Sequence, residues 1–565
     1  MDKALQMGKS STAGSFYLLI GVVASTVIMA LGTLVLAGLL SVDELGLYGI
    51  VLIPSSMIGF FRDWGVNSAM IQQIASLRAA NKDSEIRDVM VSGIVFEIVS
   101  GSILSLVCFA VAQPVALILR PDNASVLSGY ISLMSLSIFA SAILAAATSI
   151  FVGFEKMKLN SFTQIFQAIM KTALGPLLVF LGFSVLGAVI AATVSIVAGG
   201  IVGILIVYLV LFRPLRKSKV GGYEVKRTLK PMLKYGIPLT VSGIVAGVLP
   251  QVFAFLMALY AGDGMMGNYY AAIYFSVLVT FISFPISTAL FPAFAKLNPE
   301  KEPELVKTVF ASSVKYTAIL LVPATMILIT LSVPLVNTLF PKDGILQSLF
   351  TVNAAPKFPY APLFLALSSI VNLFVLFGNV SLSTFQTGIG KTNQMMKQSM
   401  LSFAVGLPFA YFIISYFGSI GGINAQMFAV IGGILGILVS STPGTAWGLY
   451  WLWKNYKVKA DFKASAKIFA ASSIASIVTY LFLSVFNAPY LLTLVIGFLI
   501  FLVVYLTSAP LLGVVNRMDI DNLKEMASGL GVISRALDFP LFFMRKICKE
   551  TQNTDKKILP SNIEA

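Results

Sequence analysis

The sequence contains no histidine, only two cysteines in 565 residues, and a charged fraction of just 11%. Without histidine, the usual zinc sites and histidine-based acid–base catalysis are excluded. The two cysteines, Cys108 inside an apolar run and Cys548 near the end, give no basis for a disulfide framework. Soluble domains carry roughly 25% charged residues, so a soluble enzyme with an apolar patch is excluded too. What is abundant is hydrophobic side chain, 57% of the chain. Apolar runs of the roughly 20 residues needed to cross a bilayer recur along nearly the whole length. They are continuous rather than alternating, which favours helices over a β-barrel. The expected fold class is an all-α polytopic membrane protein.

Fourteen spans are expected, near 14–40, 48–75, 89–112, 125–152, 161–181, 187–212, 237–261, 268–294, 308–340, 361–386, 400–417, 421–450, 468–486 and 490–515. The first is too long for a signal-peptide core and is read as retained. The 308–340 run contains Pro323 and Pro334, whose rings remove backbone donors, so tilting or a kink is expected there. Of the 39 Lys and Arg residues, 33 fall in segments on the N-terminal side and three, Arg120, Lys342 and Lys357, in loops on the other. By the positive-inside rule both termini are cytoplasmic and the protein sits in the plasma membrane. The net charge of +15 is therefore a topology signal, and nucleic acid is not an expected partner. Beyond Asn516, apolar residues at helical spacing (Ile520, Leu523, Met526) suggest a surface-lying helix, with an ordinary solvated tail as the alternative.

The chain also resembles itself. "GGIVGIL" at 199–205 returns as "GGILGIL" at 432–438, Gly153 and Lys156 match Gly388 and Lys391, and Gly46 and Tyr48 match Gly267 and Tyr269. Six spans repeated in the same direction imply two parallel lobes about an axis along the membrane normal. The expected division is an N-lobe at 1–212, a basic linker at 213–236, a C-lobe at 237–452, two extra spans at 453–515 and a cytoplasmic tail at 516–565. Pro54 and Pro285 lie in the equivalent second and eighth spans and are the hinge candidates. Two lobes that rock about a central site suggest a transporter rather than a channel or receptor.

"GIGKT" at 388–392 and "GKSS" at 8–11 lack the glycine that a phosphate loop needs, Phe385 and Lys3 standing in its place. With no nucleotide domain and no metal cluster, no cofactor is expected. An ion gradient (H+ or Na+), the membrane potential or the substrate gradient remains to drive transport. "DNAS" at 122–125 is a glycosylation sequon at Asn123.

Five ionisable residues fall inside expected spans: Arg62, Asp63, Glu97, Lys171 and Lys315. Each would cost roughly 2.5–3.5 kcal/mol or more against lipid, so each is expected to face a partner or a wet cavity. Arg62 and Lys171 lie deepest and are the candidate substrate-binding residues, an intramolecular ion pair being the alternative. Asp63 is the candidate counter-ion or proton carrier. Glu97 and Lys315 are near the cytoplasmic ends of equivalent spans, as an inner gate pairing across the lobes or as groups that reach back to the surface.

Three stretches carry a family resemblance: Asp43-Glu44-Leu45-Gly46-Leu47-Tyr48 after the first span, Asp63-Trp64-Gly65 in the second, and Gly153-Phe154-Glu155-Lys156 after the fourth. With these the chain resembles the polysaccharide-biosynthesis flippases of the multidrug/oligosaccharidyl-lipid/polysaccharide exporter superfamily. The resemblance implies a V-shaped alternating-access transporter, not an enzyme. It would move a polyprenyl-phosphate- or pyrophosphate-linked oligosaccharide between leaflets, with membrane lipids around it. In the lipid II flippase relatives an arginine of the second span faces the cavity, which Arg62 matches in span and rough depth. The rival functions are a multidrug/cation antiporter of the same superfamily and a membrane enzyme of polysaccharide assembly.

Overall fold

The protein, seen here as a computed structural model, is all-helical. The structure describes residues 2–548 except 81, 216–224, ten positions between 277 and 293, 343–350, 352–354, 460 and 529–531. Among the described residues the only strand-like pairing is one isolated bridge, Pro341 with Pro356. Among the described residues, eleven helices are long and apolar enough to cross a membrane, or twelve if the pair Ala361–Phe377 and Asn379–Gly388, bent by 56°, is one span. The molecule is a multi-pass membrane protein.

The difference from fourteen arises in three places. The expected spans at 161–181 and 187–212 lie in one helical stretch, Met157–Leu215. Its 59 residues would reach about 90 Å if straight, far more than the ~30 Å hydrocarbon core. It is divided at Gly182, whose φ of 92° is not helical, into α6 (Met157–Leu178) and α7 (Ser184–Ile206), which pack on each other. The eighth expected span falls partly outside the described residues, which include α9 (Asp263–Tyr274) but not Pro285. The tenth is the bent pair.

Helices α1 (Asp2–Leu39), α4 (Asp83–Leu119) and α5 (Ala124–Gly153) complete the first group with α6 and α7: α1 lies on α6, α5 on both α4 and α7. In the second half, α8 (Val225–Tyr260) packs against α14 (Thr392–Gly418) and α15 (Gly422–Tyr456), which form a close pair. Between these lie α10 (Pro303–Thr330), α11 (Ser332–Leu339), α12 (Ala361–Ser369) and α13 (Asn379–Gly388). The expected kink of the ninth span is present: α10 runs through Pro323 and stops at Leu331, just before Pro334 in α11. The last spans, α16 (Phe462–Val485) and α17 (Tyr490–Leu511), pack as a pair; α10 also touches α16.

After Asn516 the chain forms α18 (Arg517–Ser528) and α19 (Val532–Ile547). Buried Ile520, Leu541, Met544 and Cys548 join the apolar cluster of α10, α16 and α17. The tail is thus folded back onto the bundle.

The second expected span is two helices. A capping box starts α2 (Val42–Gly59): Glu44 N–H donates to Ser41 Oγ, while Glu44 Oε2 accepts from Ser41 N–H at 2.7 Å. The chain leaves helical form after Gly59 and resumes as α3 (Val66–Ala79). Pro54 lies inside α2, buried, and the break comes six residues later, at Phe60–Gly65.

Candidate functional site

The break places Arg62 and Asp63 where regular helix was expected. Gly65 has φ 77°, a left-handed conformation that side chains disfavour, and packs against the backbone of Gly236 in α8. Asp63 Oδ1 accepts the Asn67 N–H at 3.1 Å, supplying one of the partners that the first turn of α3 lacks. The Asp63-Trp64-Gly65 triplet therefore has a structural meaning: the acid caps a helix and the glycine turns the chain into it. Phe60, Phe61 and Trp64 around this turn are exposed.

Arg62 pairs with Glu97 of α4, Nε to Oε2 at 3.0 Å, and its Nη1 donates to Ser141 Oγ of α5 at 2.6 Å. Glu97 is fully buried and the Arg62 side chain is 15% exposed. Asn67 Nδ2 donates to the other Glu97 oxygen at 2.7 Å, while Asn67 Oδ1 is buried without a hydrogen-bond partner. Two carboxylates and one guanidinium thus share a site built from the break, α3, α4 and α5. The carboxylates here outnumber the cation by one, although the five ionisable residues of the expected spans include three cations.

The other candidates lie elsewhere. Lys171 is half-buried on α6, which packs on α1 and α7, and no hydrogen bond or ion pair among the described residues links it to Arg62. Glu97 and Lys315 do not meet as an inner gate. Glu97 is held by Arg62, and Lys315 Nζ lies 2.6 Å from Asp519 Oδ2 of α18, where Tyr316 donates its hydroxyl to Oδ1. Glu97 is fully buried, while Lys315, paired with Asp519, keeps about a quarter of its side chain exposed (26%). Helical periodicity does not carry across the break that holds Arg62, and the Asp519 partner of Lys315 lies 204 residues away.

A polar cavity of about 640 Å³ opens between α3, α4 and α8, lined by Gln72, Gln73, Ser76, Glu85, Asp88 and Arg227. Along α4, Asp88 is nine residues from Glu97, about 14 Å. Among the described residues no group of three or more His, Cys, Asp or Glu is placed to hold a metal.

At the end of the bundle where α1 finishes, a second polar site escaped the sequence reading. Arg120 Nε donates to Asp263 Oδ1 at 2.6 Å, and its Nη1 and Nη2 donate to the carbonyls of Ala258 and Ala261, both at 2.8 Å. Those carbonyls close α8, where unpaired acceptors and the negative end of the helix dipole favour a cation. Lys357 does the same for α1, donating to Gly38 O at 2.6 Å and Ala37 O at 3.3 Å. Burial pushes the Lys357 pKa down, against the pull of Glu44. The missed signal was in the charge count: both are among the three cations on the side almost cleared of positive charge. Next to them, Gly46 sits on the Asp263 carbonyl and Gly267 on the Val42 carbonyl, so the two glycines paired by the repeat alignment meet backbone to backbone.

Among solved structures, the lipid II flippase MurJ in an inward closed conformation matches with a TM-score of 0.65 at 16% identity, over 87% of this chain and 98% of its own. An inward-facing multidrug resistance transporter of the MATE family and MOP superfamily matches at 0.59 and 17%, over 77% and 96%. A MOP superfamily transporter from Pyrococcus furiosus matches at 0.52 and 17%, over 80% and 96%. At these identities the likeness is one of fold. No curated protein matches by sequence. The family pattern for polysaccharide biosynthesis proteins matches residues 11–298, half of the chain and the part that contains the break, Glu97, Ser141 and the Arg120–Asp263 contact. The chain belongs to the polysaccharide biosynthesis protein family and has the fold of the MATE and MurJ transporters.

Proposed function

We propose that the protein is a flippase that moves a polyprenyl-phosphate- or pyrophosphate-linked oligosaccharide across the plasma membrane by alternating access, for surface glycan assembly. The observation that carries this is Arg62, a guanidinium held by Glu97 and Ser141 in a helix break deep in a span. In low dielectric such a group attracts a phosphate strongly and can bind it in a bidentate way. The amides and hydroxyls of the cavity below suit sugar hydroxyls, and its 640 Å³ is within the roughly 300–1,000 Å³ of ligand pockets.

In this scheme the end where α1 begins faces the cytoplasm and fourteen spans are grouped as two six-span lobes, two extra spans and a tail. Pro54 and the adjoining break flex together, and Lys171 contributes at a later stage of transport. H+ or Na+ is the coupling ion. A second function draws on the local excess of carboxylate over cation: export of an organic cation in exchange for an ion. Depletion of the protein, followed by analysis of lipid-linked glycans, separates the two. Accumulation of a cytoplasm-facing lipid-linked oligosaccharide is the expected result. Unchanged glycan lipids with raised sensitivity to cationic drugs would establish the antiporter, and loss of glycan joining without accumulation would establish an enzyme.

A further inference from the structure

We propose that Glu97 is a built-in stand-in for the substrate's anionic group, and that anion binding at Arg62 is linked to uptake of one proton by Glu97. This rests on the assignment of Arg62 as the anion site and adds what happens to its present partner. A fully buried carboxylate 3.0 Å from a guanidinium occupies the position that a phosphate oxygen would take. Both cannot be there. When the anion arrives, the carboxylate loses its counter-charge in a place without water, where an unpaired charge costs several kcal/mol. A proton from the aqueous cavity then bonds to a Glu97 oxygen, and the neutral acid is left. When the anion departs, Arg62 returns, the O–H bond breaks and the proton goes back to water.

The surroundings make Glu97 the group that titrates. From the break, Arg62 and Asp63 face it, and Asp63 is already engaged by the Asn67 N–H. From α3, Asn67 donates to one of its oxygens, and the buried, partnerless Asn67 Oδ1 offers an acceptor for an acid proton once the side chains shift. Helix α5 brings Ser141 and no charged residue. Helix α8 brings Arg227 to the cavity, where Glu85 and Asp88 of α4 also lie, and carries exposed Lys230 and Lys234 on the stretch before Gly236. On α4 itself, the nearest charged residue before Glu97 is Asp88, about 14 Å away. Protonating Glu97 also removes one negative charge from a site with two carboxylates to one cation, so the seated anion faces one fewer like charge.

The test is calorimetric titration of the full-length protein in detergent with a short-chain polyprenyl phosphodiester, whose own charge is constant around neutral pH. Runs in two buffers of different protonation enthalpy report the protons taken up. The expected result is about one proton per probe and an affinity that falls about tenfold per pH unit on the alkaline side. Glu97→Gln should bind with no proton uptake and no pH slope, and the paired variant Arg62→Gln with Glu97→Gln should not bind. Binding by the wild type without proton uptake overturns the proposal, as does a sodium requirement in its place or a Glu97→Gln protein with an unchanged slope. If the paired variant binds as well as Glu97→Gln, or if no form binds, the anion site itself is misassigned. Thermal unfolding of each variant separates lost binding from lost fold.

Discussion

Arg62 and Arg120 are both arginines in or beside apolar helices, yet they hold together different parts of the molecule. The partners of Arg62, Glu97 and Ser141, both lie within the first half of the chain. Arg120 reaches from the end of α4 to the end of α8 and the start of α9, so it ties the first half to the second. The two arginines are almost equally exposed, at 15% and 16%, and the difference lies in their partners: Glu97 is fully buried, whereas Asp263 is 23% exposed. One arrangement suits a group that must be displaced by a ligand. The other suits a clasp that opens when two halves part.

The sharpest way to break this comparison is to remove Arg62. Arg62→Ala alone should cost about 3–5 kcal/mol because it leaves a buried carboxylate without a partner. Unfolding in detergent should show that loss, and the paired Gln/Gln variant should recover most of it while remaining inactive in glycan export. Full recovery of export by the pair would mean that the ion pair is only structural.

A smaller effect is expected at the clasp. Arg120→Ala loses a charge-assisted contact and the two carbonyl bonds that reach the second half, on the order of 2 kcal/mol, or a roughly thirtyfold shift toward parted ends. Spin labels at the exposed positions Val126 and Ile423 would report longer distances. An unchanged distance distribution would remove Arg120 from any role between the halves.

Next comes Gly46→Ala, which sets a methyl group against the Asp263 carbonyl and should cost about 1–3 kcal/mol by overpacking at the clasp. The same labels should spread, while phosphodiester binding at Arg62 stays as it was. The smallest effect is at Lys357. Its pKa is lowered by burial, so the folded state holds that proton less tightly than the unfolded chain. Stability should therefore rise slightly as pH climbs from the lowered value toward the ordinary one near 10.4. Lys357→Gln should erase that rise, which melting curves on the alkaline side would show.

The sequence made the helices legible because apolar length is a local property, and it made Arg62 conspicuous because charge is rare at that depth. What it hid depended on the backbone leaving its period. Gly65 at φ 77° ends the second span's regularity, and with it any prediction of which way Arg62 and Asp63 point. The Asp63-Trp64-Gly65 pattern was visible, but its cap-and-turn role emerges only once α3 is seen to restart behind it. Lys315 was misread for a different reason. Its counter-ion is in the tail, and nothing local in the sequence links the ninth span to residue 519. Arg120 and Lys357 were visible as exceptions to a charge rule, and the exceptions proved to be the contacts at helix ends.

The seated Glu97 has a bioenergetic consequence. A cell membrane can tolerate a slow glycan carrier but not a chloride conductance, and an open guanidinium in the middle of a span would invite one. With the carboxylate in place, a small inorganic anion meets no net positive charge at that site and gains nothing by settling there. Under the function proposed above, only a ligand with enough further contacts to displace Glu97 uses the arginine. On this view selectivity against the abundant small ions is enforced before any sugar is recognised.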